Sequence, residues 1–331
     1  KNLNSGKKTL KQNPLSLSEI KKNLPYRNPM NHPTIMFRKE ILVECGGFYQ
    51  PEGCSWLDRS TFLNSCVKSI LSQKANFSYE IIIIDQSNLS ESADFNSERV
   101  KYFKSDRKGL SLNRNIGLRK ALGDIICIMD DDATVSPTYF LDIKNIIKRF
   151  PKIDIGCGVI YNNENKEPFS RHMVNKKQEP LTLKNIDRCL SSAMFFKSKV
   201  FKKIGGFDEQ FGVGAKFGGS EESDFLIRSL LSGFNAHSFN KPEVYHPMFD
   251  VKKLSLLTLF RKGFNYGRGR GALLKKNILI IPFWSIFLFV KNITVSFMGI
   301  LLSLIFLDLK KVLWYFSNLI GRVVGFIQFR N

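Results

Sequence analysis

YEIIIIDQSN, residues 79–88, and GDIICIMDDD, residues 123–132, are short apolar runs that both end in acid. Four consecutive isoleucines suit a strand buried on both faces, as in a parallel sheet, where a half-solvated strand would alternate. Helical patterns precede each run. STFLNSCVKSILSQ, residues 60–73, puts Phe62, Leu63, Cys66, Val67, Ile70 and Leu71 on one stripe. A second helix is predicted over about residues 110–121. Helices alternating with buried strands predict an α/β fold: a doubly wound, mostly parallel sheet flanked by helices. In such sheets ligands bind beyond the carboxyl ends of the strands. Asp85 and Asp130–Asp132 both fall on that edge.

The chain has 331 residues and a net charge of +21, with 43% hydrophobic and 24% charged residues. That usage excludes a wholly disordered chain, a collagen and a small disulfide scaffold. The charge sits at the ends. Residues 1–40 carry nine Lys/Arg against two acids, and residues 251–331 carry thirteen against Asp308 alone. Six cysteines are scattered without a C-x-x-C pair, and none clusters with a histidine. The pattern argues against structural zinc and for reduced, buried thiols.

Residues 1–32 read as irregular, with a short helix near residues 17–24. MFRKEILVECGGF, residues 36–48, resembles FFKSKVFKKIGGF, residues 195–207, with four of thirteen positions identical and no gap. Either this is chance, or residues 25–53 are the tail of a second, related domain. Residues 278–307 are apolar but for Lys291, Asn292 and a few hydroxyls, and Lys275, Lys276, Lys310 and Lys311 bracket them. Three arrangements fit: a buried core pair, a membrane-associated helical hairpin, or one tilted span. Trp284 and Trp314 near the edges suit a membrane interface. Basic residues beside apolar helices attract anionic headgroups, so an anionic membrane surface is the expected partner. No nucleic-acid module is present, and no nucleic-acid partner is expected.

The acids carry the chemistry. Asp130, Asp131 and Asp132 repel one another unless solvated or gathered around a hard divalent cation, Mg²⁺ or Mn²⁺. Asp85 is either an acceptor for a base or ribose, or an Asx-turn at the strand exit. Arg114, between the two acidic sites, either faces a diphosphate or is a solvated helix charge. GVGAKFGGSEESDF, residues 212–225, holds Glu221, Glu222 and Asp224. Those acids either complement a helix dipole or include a general base for a hydroxyl. His246 in VYHP is a metal ligand, a phosphate contact or a plain turn histidine.

Taken in order, the strand ending at Asp85, GLSLNRNIGL, GDIICIMDDD, IGGFDEQFG, GGSEESDF and VYHP resemble family 2 glycosyltransferases of the GT-A fold, over about residues 57–250. The resemblance implies inverting transfer of a sugar from a nucleotide-sugar donor to the hydroxyl of a glycan or lipid-linked acceptor. It matches Asp85, Arg114, Asp130 and Asp131 to donor binding, and Asp132, with His246, to the metal. Glu222 falls where the family has its aspartate base, and Asp224 is the alternative base. KGFNYGRGRGALLKK followed by apolar helices is similar to the tail of bacterial members that act on membrane-bound acceptors. That implies surface-polysaccharide synthesis at the cytoplasmic face of the plasma membrane, anchored by C-terminal membrane-associated helices.

The implied organisation is an atypical segment over residues 1–56, a GT-A-like domain over 57–250, and a basic, apolar tail over 251–331. One departure concerns the start of the domain. The family opens on a buried strand and a Pro-Thr-Tyr-Asn-like turn, where this chain has PEGCSWLDR at residues 51–59. Either a central strand is missing, or residues 34–43 take its place. A missing strand implies the alternative function, a non-catalytic, truncated glycosyltransferase-like protein at the membrane.

Overall fold

The structure, a computed structural model, describes residues 33–34, 42–45, 56–86, 95, 97–169, 178–248 and 254–330. The chain divides into two compact units, residues 1–31 and 32–331. The first unit, the expected helix near residues 17–24 and most of the 36–48 repeat lie outside the described residues.

The two acid-tipped runs are strands β3 (Glu80–Asp85) and β5 (Ile125–Met129), buried along their whole length. Short strands β1 (Pro33–Thr34) and β2 (Leu42–Cys45) precede them, and β4 (Val100–Lys104) follows β3. β3 pairs in parallel with β4 on one side and β2 on the other, and β2 pairs in parallel with β5. Residues 42–45 therefore fill the central slot that the sequence left in question, and β1 runs antiparallel across the end of β3. The remaining strands are β6 (Thr134–Val135), β7 (Ile155–Asn162), β8 (Glu179–Pro180), β9 (Met194–Lys197) and β10 (Ala236–His246).

The sheet is mixed rather than mostly parallel: β9 lies antiparallel between β5 and β7, β7 pairs in parallel with β10, and β6 and β8 run antiparallel to β10. Among the strands, β9 has the least legible direction. Its residues Met194, Phe195 and Phe196 are buried, so pattern alone does not give its direction.

Helices flank the sheet as the patterns require. α1 (Trp56–Leu71) buries Leu63, Cys66, Val67 and Ile70, the expected stripe. α2 (Leu110–Lys120) and α3 (Tyr139–Arg149) follow, α3 burying Tyr139, Phe140, Ile143 and Ile146. α4 (Ser198–Ile204) and α5 (Glu221–Leu231) complete this part. The described cysteines Cys66, Cys127, Cys157 and Cys189 are buried free thiols.

Three long helices close the chain: α6 (Leu256–Lys276), α7 (Pro282–Ile305) and α8 (Leu309–Gln328). α7 is one continuous helix through Lys291 and Asn292, neither a hairpin nor a buried core pair. It is long and apolar enough to cross a membrane, and it leaves Phe283, Phe287, Val290, Phe297 and Ile305 exposed. Trp284 is half-buried. Its Nε1–H donates to the Leu183 carbonyl at 2.8 Å and fixes α7 to the sheet domain. Trp314 packs edge-on against Tyr266.

α6 and α8 touch backbone to backbone. A Cβ on Gly271 would lie 2.0 Å from the Arg322 carbonyl oxygen, and one on Gly325 would lie 2.0 Å from that of Arg268. Only glycine allows this approach, which is close small-residue packing of the kind seen between membrane helices. Gly271→Val forces the helices apart. We expect a loss of about 2 kcal/mol, the overpacking cost, read as a lower melting temperature.

Candidate active site

α2 turns polar residues inward, against the usual amphipathic rule. Ser111, Asn113, Arg114 and Asn115 are all buried. Each has a partner. Ser111 Oγ donates to the Phe211 carbonyl, and Asn113 Nδ2 donates to Gln86 Oε1. Asn115 Nδ2 donates to the Phe207 carbonyl while its Oδ1 accepts from the Phe207 N–H. A helix so thoroughly bonded to the domain is a rigid mount for Arg114.

Arg114 has no solvent exposure. Its Nη1 meets Glu221 Oε1 at 3.2 Å, and its Nη2 meets Asp130 Oδ1 at 3.4 Å and Ser191 Oγ at 3.2 Å. It is a buried cation between two carboxylates, not a solvated helix charge. Asp130 Oδ2 also accepts from Ser192 Oγ at 2.6 Å.

His246 ends β10 directly above the acids. Its Nε2 lies 3.4 Å from Asp130 Oδ2 and 3.1 Å from Asp132 Oδ1. Its Nδ1 lies 2.7 Å from the Pro247 carbonyl oxygen. A carbonyl only accepts, so Nδ1 carries a proton and Nε2 faces the carboxylates. Burial works to lower the imidazole pKa, but Asp132 and Asp130 outweigh it and hold it well above the ordinary value. The group needs positive charge between the three side chains. One ligand atom from each of Asp130, Asp132 and His246 lies within 4.8 Å of the others. Oxygen and imidazole ligands, with Nδ1 tied to a carbonyl, fit a divalent cation that replaces the proton.

The glycine-rich loop delivers the other acids. Ser220, in the left-handed region at φ 70°, starts α5, and Glu221 and Glu222 occupy its first turn. Gly269 of α6 abuts this loop, where a Cβ would lie 2.5 Å from the Gly219 carbonyl oxygen. Glu222 forms no ion pair among the described residues. Burial, reinforced by Glu221, pushes its carboxyl up to about 8, against the pull of Arg114. Asp224 has a different environment. Its carboxylate is bound by Arg228 at 2.8 Å and Lys276 at 2.5 Å.

These groups surround a cavity of about 470 Å³, walled on the sheet side by Arg114, Asp130, Ser191, Glu222 and His246. That volume is in the range of small-molecule sites. Asp131 and Asp132 are buried just behind the wall. Asp85 stands apart from it. Its carboxylate pairs with Lys104 at 2.6 Å and accepts a hydrogen bond from Tyr102. The structure therefore brings Arg114, Asp130, Asp132, Glu222 and His246 together, but not Asp85, Asp131 or Asp224.

The far wall comes from the C-terminal helices: Lys262, Tyr266 and Arg270 of α6, Asn292 of α7, and Asn318 and Arg322 of α8. Sequence reasoning assigned these cations to headgroups. Lys262, Arg270, Lys276 and Arg322 instead turn toward the sheet domain. The four-residue spacing of Lys262, Tyr266 and Arg270 is the signal that marks a shared helix face. Burial pushes Lys262 down to about 7 against the pull of Asp132.

A mixed sheet flanked by helices, with an acidic cluster at its carboxyl edge, is a GT-A-like arrangement. Residues 57–205 match the Glycosyl transferase family 2 model. The chain is 22% identical over 222 residues to the glucosyl-dolichyl phosphate glucuronosyltransferase of Haloferax volcanii, covering 59% of this chain and 67% of that one. It is 25% identical over 213 residues to an uncharacterized glycosyltransferase of Haemophilus influenzae, covering 57% and 64%. Among solved structures it resembles S. aureus TarS 1-349 in complex with UDP-GlcNAc, with a TM-score of 0.50 and 14% identity over 66% of this chain and 64% of that one. This last likeness concerns the fold. The chain spans about two thirds of the length of these relatives.

Proposed function

We propose that this protein transfers a sugar from a nucleotide-diphosphate donor to an acceptor hydroxyl, with inversion at the anomeric carbon. The observation that carries the reading is one cavity that two devices reach: the Asp130–Asp132–His246 cluster, and the Glu222 carboxylate, which has no ion pair among the described residues. Asp130, Asp132 and His246 would hold Mg²⁺ or Mn²⁺, whose charge neutralises a departing nucleoside diphosphate. Arg114 fixes the Asp130 and Glu221 carboxylates, so the site needs little reorganisation as charge develops.

Glu222 is the base. An acceptor hydroxyl is a poor nucleophile until a carboxylate takes its proton in the transition state. A carboxyl raised to about 8 accepts that proton more readily than an ordinary glutamate. One base opposite one leaving group gives a single displacement, hence inversion. Asp224 is tied to Arg228 and Lys276 and does not line the cavity. The acceptor is a glycan or lipid-linked glycan, a class that includes the glucosyl-dolichyl phosphate named for the Haloferax relative.

α7 favours a membrane surface. Its midpoint, Asn292, borders the polar cavity, and Arg322 donates to the Asn292 carbonyl and to Ser296 Oγ. A helix whose middle meets a charged cavity does not sit across the bilayer centre. It lies in the interfacial plane with its apolar face in the acyl boundary. In this reading residues 57–250, completed by the central strand at residues 42–45, are the transferase domain, residues 251–331 are both membrane tail and cavity wall, and the site works at a cytoplasmic membrane face.

The test is transfer itself. The full chain in lipid-extract nanodiscs is given labelled UDP-, GDP- and dTDP-sugars with Mn²⁺ and an acceptor lipid fraction. We expect label transfer from one donor class, abolished by EDTA, with the product anomer inverted. A folded chain that binds a nucleotide and transfers nothing is the truncated, non-catalytic protein instead.

A further inference from the structure

The cavity holds more positive charge than a donor requires. Lys262 lies near Asp132, whose charge acts on it, and so belongs to the metal side. Arg270 and Arg322 line the same cavity. Arg270 Nη1 pairs with Asp187 Oδ1 at 3.1 Å, and Asp187 is close enough to raise Glu222. Arg322 has no carboxylate partner among the described residues. Its Nη1 is held by the Asn292 carbonyl and Ser296 Oγ, and its buried Nε has no hydrogen-bond partner. Burial and the neighbouring charge of Arg270 push Arg322 down to about 10.

Two guanidinium groups that repel each other, on a cavity wall with only the largely exposed Asp187 between them and neutrality, form a site for an anion. Its place beside the base says which substrate brings the anion. The base takes a proton from the acceptor, so the cations flanking it meet the acceptor and not the donor diphosphate.

We propose that Arg270 and Arg322 bind a phosphate group carried by the acceptor, close to the hydroxyl that Glu222 deprotonates. This rests on the transferase reading above. Phosphate is the shared chemistry of two sources, a lipid phosphate headgroup at the membrane and a soluble phosphate-bearing glycan or polyol.

The experiment uses the full chain in nanodiscs with the donor site filled by saturating nucleotide and Mn²⁺. Farnesyl phosphate, farnesol and sn-glycerol 3-phosphate are then titrated into wild type, Arg322→Gln and Arg322→Lys. We expect farnesyl phosphate to bind at least about tenfold more tightly than farnesol, the worth of one charge-assisted contact. Arg322→Gln removes that difference, Arg322→Lys keeps part of it, and nucleotide affinity stays within about twofold in both. Glycerol phosphate binding as tightly as farnesyl phosphate assigns the soluble source, and weaker binding assigns the lipid. Equal binding of farnesol and farnesyl phosphate overturns the proposal. So does an Arg322→Gln variant that loses nucleotide as much as phosphate, because the cation then serves the donor. Failure of wild type to bind any nucleotide sinks the transferase reading itself, a separate outcome.

Discussion

Glu222→Gln is expected to lower kcat by about 10²–10⁴-fold while leaving nucleotide binding intact, the range of a lost general base. The amide keeps the shape and removes the proton acceptor. Glu222 forms no ion pair among the described residues, so its loss leaves no buried partner stranded. The pH dependence gives a second readout. Only the ionised carboxylate accepts a proton, and burial with Glu221 holds its pKa near 8. Activity in wild type should therefore rise from pH 6, pass its midpoint at about 8 and level off above it. Glu222→Gln should flatten that limb. Asp224→Asn should keep the limb, since Asp224 is held by Arg228 and Lys276 outside the cavity. A limb that survives in Glu222→Gln assigns the base elsewhere.

Arg114→Met carries the largest expected loss of stability. Arg114 is fully buried and joins Glu221, Asp130 and Ser191 across three parts of the fold. Methionine fills much of the volume but leaves the buried Glu221 carboxylate without its cation, and Asp130 with His246 as its remaining charged partner. Breaking a buried pair in this way costs about 3–5 kcal/mol, because the stranded charge is not resolvated. Thermal unfolding reads the loss. Adding Glu221→Gln to Arg114→Met removes that stranded charge and should recover part of the loss. A double variant no more stable than the single one assigns the cost to packing.

The parts of this fold that pattern reveals are those whose burial is simple. β3 and β5 read as buried strands because an isoleucine run has no solvated face to offer. α1 reads correctly because its stripe is regular. α2 is harder to read, since Ser111, Asn113, Arg114 and Asn115 look like a solvent face, yet Ser111 and Asn115 bond to the backbone of Phe211 and Phe207, about a hundred residues away, and Asn113 bonds to Gln86. Spacing does not separate the two candidate bases either: Glu221 and Ser223, two residues apart on α5, both line the cavity, and it is the ion pairs with Arg228 and Lys276 that turn Asp224 away from it.

The C-terminal helices were least legible. Hydropathy registers apolar length and flanking charge, which is why residues 278–307 suggested a membrane. It does not register that Gly267, Gly271, Gly321 and Gly325 draw α6 and α8 together. That packing brings Arg270 and Arg322 into the cavity instead of leaving them among headgroups. Asp85 illustrates the converse. It ends the expected strand at the expected edge, yet Lys104 and Tyr102, on the neighbouring strand, engage its carboxylate. Cross-strand register, which no local pattern encodes, decides that pairing.

The most direct measurement is calorimetric titration of UDP, GDP and dTDP into the purified chain, with and without Mn²⁺, beside Asp132→Ala. Asp132 faces His246 Nε2 at 3.1 Å and belongs to the cluster that would hold the cation. The account predicts that one nucleotide binds, that binding requires Mn²⁺, and that Asp132→Ala abolishes it. Binding indifferent to both Mn²⁺ and Asp132, or no binding by a folded chain, would contradict it.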